Sequence, residues 1–191
     1  AAVADRTASD SDDSVLLHRF LTGDDDAFLT LFYRHNRRIV TYCLKMVGRI
    51  ELAEDLAQET WARVIALRNR PAEVYNPVGF LLRVARNLCL DHIRARKTHL
   101  SIDELHESAH PVQTLPEFSE LEEMALAALD QLPFKYREVL VLQMYCGYKL
   151  EEIAEMLGKT PDAIWARASR ARAQIRDIVM EQHGVRNSHN G

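Results

Sequence analysis

Proline and glycine are scarce, six and seven in 191 residues, and most of them stand between apolar-periodic runs, so helices have few enforced breaks. Sustained apolar/polar alternation and Val/Ile/Thr clusters are missing as well, which removes the pattern of strands. The expected fold class is all-α. Cysteine is limited to Cys43, Cys89 and Cys146, odd in number, far apart and each in apolar surroundings. That usage excludes a disulfide framework and points to buried thiols in a reducing compartment. Cys89 and His92 share a C-x-x-H spacing, but a tetrahedral metal site needs further ligands nearby and none is evident, so neither metal nor other cofactor is expected. No stretch approaches the roughly 20 apolar residues of a membrane span, so no membrane insertion is expected. The acidic, polar start Ala1–Ser14 lacks the basic end and apolar centre of a secretory signal; it reads as a disordered tail, and the chain as cytoplasmic. There is no activated nucleophile, no Gly-rich phosphate loop and no plausible catalytic dyad, so the chain is not expected to be an enzyme.

What is present is a charge pattern. The net charge of -4 hides a partition: residues 1–97 carry 15 Lys+Arg against 13 Asp+Glu, residues 98–130 none against eight, and residues 131–191 nine against seven. Two mildly basic ends therefore flank an acidic middle, and nucleic-acid affinity follows local basic surface rather than the total. The length suits two small domains, 15–97 and 120–181, joined by a flexible acidic linker over 98–119, where periodicity lapses and Pro111 and Pro116 occur. Residues 182–191 read as a flexible tail.

Periodicity places a helix from Asp24 to near Gly48 with Phe28, Leu31, Phe32 and Ile39 inward, and a second over about Ile50 to Asn69 burying Leu52, Leu56, Val64 and Ile65. After the Asn76-Pro77 turn, Val78 to Lys97 forms a third, with Phe80, Leu81, Val84, Leu88 and Ile93 inward and Arg83, Arg86, Asn87, Arg94, Arg96 and Lys97 on the remaining face. Beyond the linker, helices are expected over Glu120–Gln131, Phe134–Tyr145, Leu150–Leu157 and Pro161–Glu181.

The last two read as a helix-turn-helix. Ile153, Ala154 and Leu157 face the core, Gly158 makes the turn, and Thr160 with Pro161 caps and starts the second helix. Its outward positions are Asp162, Trp165, Ala166, Ser169 and Arg170, with Lys149, Lys159, Arg167 and Arg172 placed for phosphates. Taken alone, this window also occurs in α-bundles with no DNA partner, and in repressors that bind duplex DNA without any polymerase.

Three ordered segments narrow the choice: Ala53-Glu54-Asp55-Leu56-Ala57-Gln58-Glu59-Thr60-Trp61, then Gly79-Phe80-Leu81-Leu82-Arg83-Val84-Ala85-Arg86-Asn87-Leu88-Cys89-Leu90-Asp91, then Leu132-Pro133-Phe134-Lys135-Tyr136-Arg137-Glu138-Val139-Leu140. With them the sequence resembles extracytoplasmic-function sigma factors of the sigma-70 family, from about Val15 to Ile178. The resemblance implies a region 2 bundle and a region 4 helix-turn-helix, and a protein that binds RNA polymerase core and promoter DNA. It implies that Glu54, Asp55, Gln58 and Glu59 dock the β′ clamp helices, a face that charge alone would leave to water. Region 4 is expected at the β flap and the -35 element. The third helix is expected at the -10 element, Asn87 holding a base of the opened strand and Arg83, Arg86, Tyr75 and Asn76 assisting capture. Base capture and phosphate neutralisation then offset the stacking lost on melting, about 1.4 kcal/mol per step. The resemblance further implies an anti-sigma factor, and a linker threaded along the polymerase's RNA path, where Asp103, Glu104 and Glu107 imitate a nucleic-acid strand.

One segment departs from the family. Members usually place a basic residue and a hydroxyl early in the recognition helix, where this chain has Ala163-Ile164-Trp165-Ala166-Arg167. Trp165 cannot make arginine's bidentate contact to guanine; it can pack on a thymine methyl or anchor a protein interface.

Overall fold

A computed structural model describes the backbone of residues 2–68, 76–99 and 120–189, and within these the side chains of 12–68, 76–96, 124, 125 and 127–181. The described residues form helices α1 (Ala2–Leu21), α2 (Asp25–Val47), α3 (Ile50–Ile65), α4 (Pro77–His99), α5 (Glu120–Gln131), α6 (Phe134–Met144), α7 (Leu150–Leu157) and α8 (Pro161–His189), with no strand. The chain divides into two compact units, 1–101 and 102–191.

In the first unit α2 is the central helix, packed by α1, α3 and α4. Asp24 caps it, its Oδ1 accepting from the Ala27 N–H at 3.1 Å, and Asp25 and Asp26 complement the positive helix end. Gly48 closes it at φ 75°, a left-handed conformation natural to glycine, with its N–H donating to the Leu44 carbonyl. Leu31, Ile39, Tyr42, Cys43 and Met46 form its buried stripe.

The inward stripe of α3 is displaced from the expected one. Ala53, Ala57, Thr60, Trp61 and Val64 are buried, Leu52 and Leu56 are half-buried, and Ile65 is 48% exposed. Small alanines let α3 approach α2 closely, and Trp61 fills the space beside them. Its indole stands edge-on to Phe28 at 5.8 Å, lies 5.2 Å from Phe32, and donates Nε1–H to Asn36 Oδ1 at 3.0 Å. α3 also ends at Ile65, short of Asn69.

Helix α4 starts from its own cap: Asn76 Oδ1 accepts from the Gly79 N–H at 2.7 Å and Pro77 occupies the first helical position. Val78, Leu81, Leu82, Ala85 and Cys89 are buried, whereas Phe80, Val84, Leu88 and Ile93 are half-buried flanks of that stripe.

The helices run past the expected domain bounds at both ends. The segment read as a disordered start belongs to α1, and Asp13 within it is fully buried. Its carboxylate meets His35 Nε2 at 2.8 Å and Arg34 Nη1 at 2.5 Å, while Arg34 also pairs with Asp12 at 2.9 Å. At the other end α8 continues to His189, beyond the expected helix end at Glu181. Of the linker, residues 100–119, including Asp103, Glu104 and Glu107, lie outside the described residues, as does Tyr75.

In the second unit the Leu132-Pro133 segment turns α5 into α6. Arg137, one turn into α6, reaches back and donates Nη2–H to the carbonyls of Asp130 and Leu132, satisfying acceptors at the end of α5. The core gathers Val139, Leu140, Val141 and Leu142 of α6, Ile153 and Ala154 of α7, and Ile164, Ala168 and Ala171 of α8. Gly158 turns α7 into α8 at φ 59°, and Thr160 Oγ1 accepts from the Ala163 N–H at 3.3 Å. Cys43, Cys89 and Cys146 are buried thiols outside any disulfide.

Candidate polymerase and nucleic-acid interfaces

The first exposed polar face is a by-product of helical geometry on α3. With Ala53, Ala57 and Trp61 turned inward, the intervening Glu54, Asp55, Gln58 and Glu59 are all exposed on the opposite side. Of the four, Glu59 accepts from Arg63 Nε at 3.1 Å, one turn on, an exposed pair that orients more than it stabilises. The result is a rigid helix presenting three carboxylates and one amide.

On α4 the same logic yields a basic surface. Arg83, Asn87, Arg94 and Arg96 are exposed and Arg86 is half-buried; the Lys97 side chain lies outside the described residues. Asp91 and Arg94 stand 3.9 Å apart, both largely in solvent, too loose to neutralise the surface. Half-buried His92 senses that surface: burial, then the charges of Arg49 and Arg96, push its pKa below the ordinary value. Arg49, between α2 and α3, thus joins the positive field although sequence reading passed over it; only tertiary packing brings it near α4.

In the helix-turn-helix, Lys149, Lys159, Asp162, Trp165, Ala166, Ser169, Arg170 and Arg172 are exposed and Arg167 is half-buried. Lys149 precedes α7, where its N–H donates to Glu152 Oε2 at 2.7 Å, and Lys159 follows Gly158 in the turn before α8, so these two cations bracket α7. Two of the arginines are tethered to α6. Arg172 Nη2 donates to Gln143 Oε1 at 2.7 Å, and Arg170 hydrogen-bonds Tyr136, lowering the pKa of that phenol with help from Lys135. Tyr136 and Gln143 are positioning residues that no local sequence signal reveals, because each acts across the helix-helix packing.

Two family descriptions match the chain where these surfaces lie: Sigma-70 region 2 over residues 31–99 and Sigma-70, region 4 over residues 122–175. The chain is 33% identical over 167 residues to the RNA polymerase sigma factor CarQ of Myxococcus xanthus, covering 86% of this chain and 96% of CarQ. It is 33% identical over 171 residues to the ECF RNA polymerase sigma factor BldN of Streptomyces coelicolor, covering 83% of this chain and 64% of that longer relative. The chain belongs to the extracytoplasmic-function sigma factors of the sigma-70 family. This sigma factor also shares its fold with RpoE of Bartonella quintana, solved in complex with the anti-sigma factor NepR, at a TM-score of 0.68 and 21% identity over 80% of this chain and 96% of that one. Region 2 of the sigma factor therefore spans α2, α3 and α4, with α1 added in front, and region 4 spans α5 to the first half of α8. Among the described residues no helix is long and apolar enough to cross a membrane.

Proposed function

We propose that this sigma factor joins RNA polymerase core through Glu54, Asp55, Gln58 and Glu59 on α3 and brings it to promoters in the cytoplasm. There, α4 takes the -10 element with Arg83, Arg86, Asn87, Arg94, Arg96 and Lys97, and α8 takes the -35 element. The observation that carries this reading is the division of region 2 into an acidic helix face on α3 and a basic one on α4, each made mainly of exposed side chains. A carboxylate face repels phosphates and suits a protein partner, whereas an arginine face with an outward asparagine suits a strand of nucleic acid. Asn87 is exposed among these arginines, where an amide can read the edge of an unstacked base. The basic residues then draw free energy from counterion release, and base capture holds the opened strand.

An anti-sigma factor is part of the reading, because RpoE, which shares the fold, was solved bound to one. Such a partner would cover the α3 face and withhold the protein from polymerase.

The deciding experiment is run-off transcription with purified core polymerase over genomic promoter fragments, followed by RNA sequencing. Start sites that need this protein and share -35 and -10 elements are the expected result. Glu54→Lys with Glu59→Lys should abolish both core binding and those starts. Tight, sequence-specific duplex binding by the isolated protein, with no effect on polymerase, would instead make it a stand-alone DNA binder.

A further inference from the structure

Region 4 presents an unusual reading surface, and its composition follows from where the core of α8 lies. Ile164, Ala168 and Ala171 are completely buried, which fixes the opposite side of the helix as Asp162, Ala166 and Ser169, with Trp165 and Arg172 towards one edge and Arg170 towards the other. Arg172 is held by Gln143 and Arg170 by Tyr136, so both edge guanidiniums are directed towards α6. Between them stand an acid, an alanine, a serine and a tryptophan that is 53% exposed. Guanine is read in the major groove chiefly by an arginine or lysine fork on O6 and N7, and no such side chain stands on this outward strip. An apolar surface in the groove has one partner among the four bases, the C5-methyl of thymine. The adjoining Ala166 is small enough to leave the indole room to lie along the groove, while Lys149 before α7 and Lys159 in the turn after it are placed for the backbone.

We infer that Trp165 is the specificity-determining residue of region 4, reading a thymine methyl in the -35 element where an arginine-bearing helix would read guanine. This rests on the proposed sigma function, and deepens it by naming the chemical group recognised. Ser169, which can donate or accept, discriminates weakly, and Asp162 can accept from the amino group of cytosine or of adenine and so does not choose between them. Trp165 therefore dominates the choice.

The test uses the holoenzyme and a promoter found by run-off sequencing, with each -35 thymine replaced in turn by deoxyuridine, which differs only in lacking the methyl. At one or two positions initiation should fall about four-fold, the value of withdrawing one methyl-sized apolar group from contact. Trp165→Ala should initiate less well on the unmodified promoter and lose the distinction between thymine and uracil, while Trp165→Phe keeps part of it. The thymine/uracil comparison on the unaltered protein requires no variant to fold, and the exposed site keeps both variants foldable. Uracil tolerated at every position by the unaltered holoenzyme overturns the inference. So does an identical uracil effect in Trp165→Ala, or a Trp165→Ala protein that keeps its promoter choice and loses only a protein partner. Absence of any protein-dependent transcript is a separate result, which overturns the sigma reading itself.

Discussion

Asp13 illustrates how much one buried side chain decides. Burial pushes its carboxyl pKa up, but the hydrogen bond and charge of His35, then those of Arg34, outweigh burial and hold it below the ordinary 3.8. A carboxylate whose folded pKa is depressed adds stability above its unfolded value and loses it as pH falls through the folded one. Region 2 should therefore lose this contribution only below about pH 3.8. Asp13→Ala should destabilise region 2 by about 3 kcal/mol at neutral pH, as expected when one partner of a buried pair is removed. Denaturant unfolding at several pH values checks both statements: the difference from the unaltered protein should shrink in acid, and a difference unchanged at pH 3 would refute the assignment. The ordering of α1 was hidden in the sequence for the same reason. A Ser/Asp-rich stretch has the composition of a solvated tail, and the partner that makes one of its aspartates structural lies 22 residues further on.

At the scale of elements, caps explain the family motifs as well as the interfaces do. Arg137 stands in a segment that resembles the entry to region 4, and its guanidinium donates to the carbonyls of Asp130, near the end of α5, and of Leu132 just beyond it. Arg137→Met should lower the stability of the second unit by about 1–2 kcal/mol through unsatisfied acceptors. Isothermal denaturation would measure it, and retained stability with lost promoter binding would contradict the capping role. Asn76→Ala removes the side-chain cap of α4 and should cost about 1 kcal/mol, visible as faster amide exchange in the first turn of that helix. Ends of this kind were legible beforehand: Asp24, Gly48, Asn76-Pro77 and Thr160-Pro161 announced boundaries because capping is local chemistry. The inward stripe of α3 was not, since an apolar pattern favours leucines over alanines, whereas close packing against α2 favours Ala53 and Ala57. Most outward positions of α3, α4 and α8 are exposed as expected, Arg86 and Arg167 being half-buried, because residues left over from a core need no partner to reveal them.

For the whole molecule, the proposed polymerase face on α3 and the proposed -10 face on α4 share the first unit but stand on different helices, so each can be altered by substitutions on its own helix. Glu54→Lys with Glu59→Lys should leave helical content and the unfolding midpoint nearly unchanged, because surface substitutions usually stay within about 0.5 kcal/mol, while binding to core polymerase fails. Co-sedimentation with core, set beside circular dichroism, would distinguish this from misfolding, which would lose both.

The two tryptophans also make the protein its own optical instrument. Trp61 is 3% exposed in the core of region 2 and Trp165 is 53% exposed on region 4, so each unit carries one natural fluorophore in a different medium. The first should emit in the blue and resist acrylamide, the second should emit in the red and be quenched readily. A bound partner that shields only the red component has engaged region 4, and occupancy of that unit becomes readable without attaching a dye.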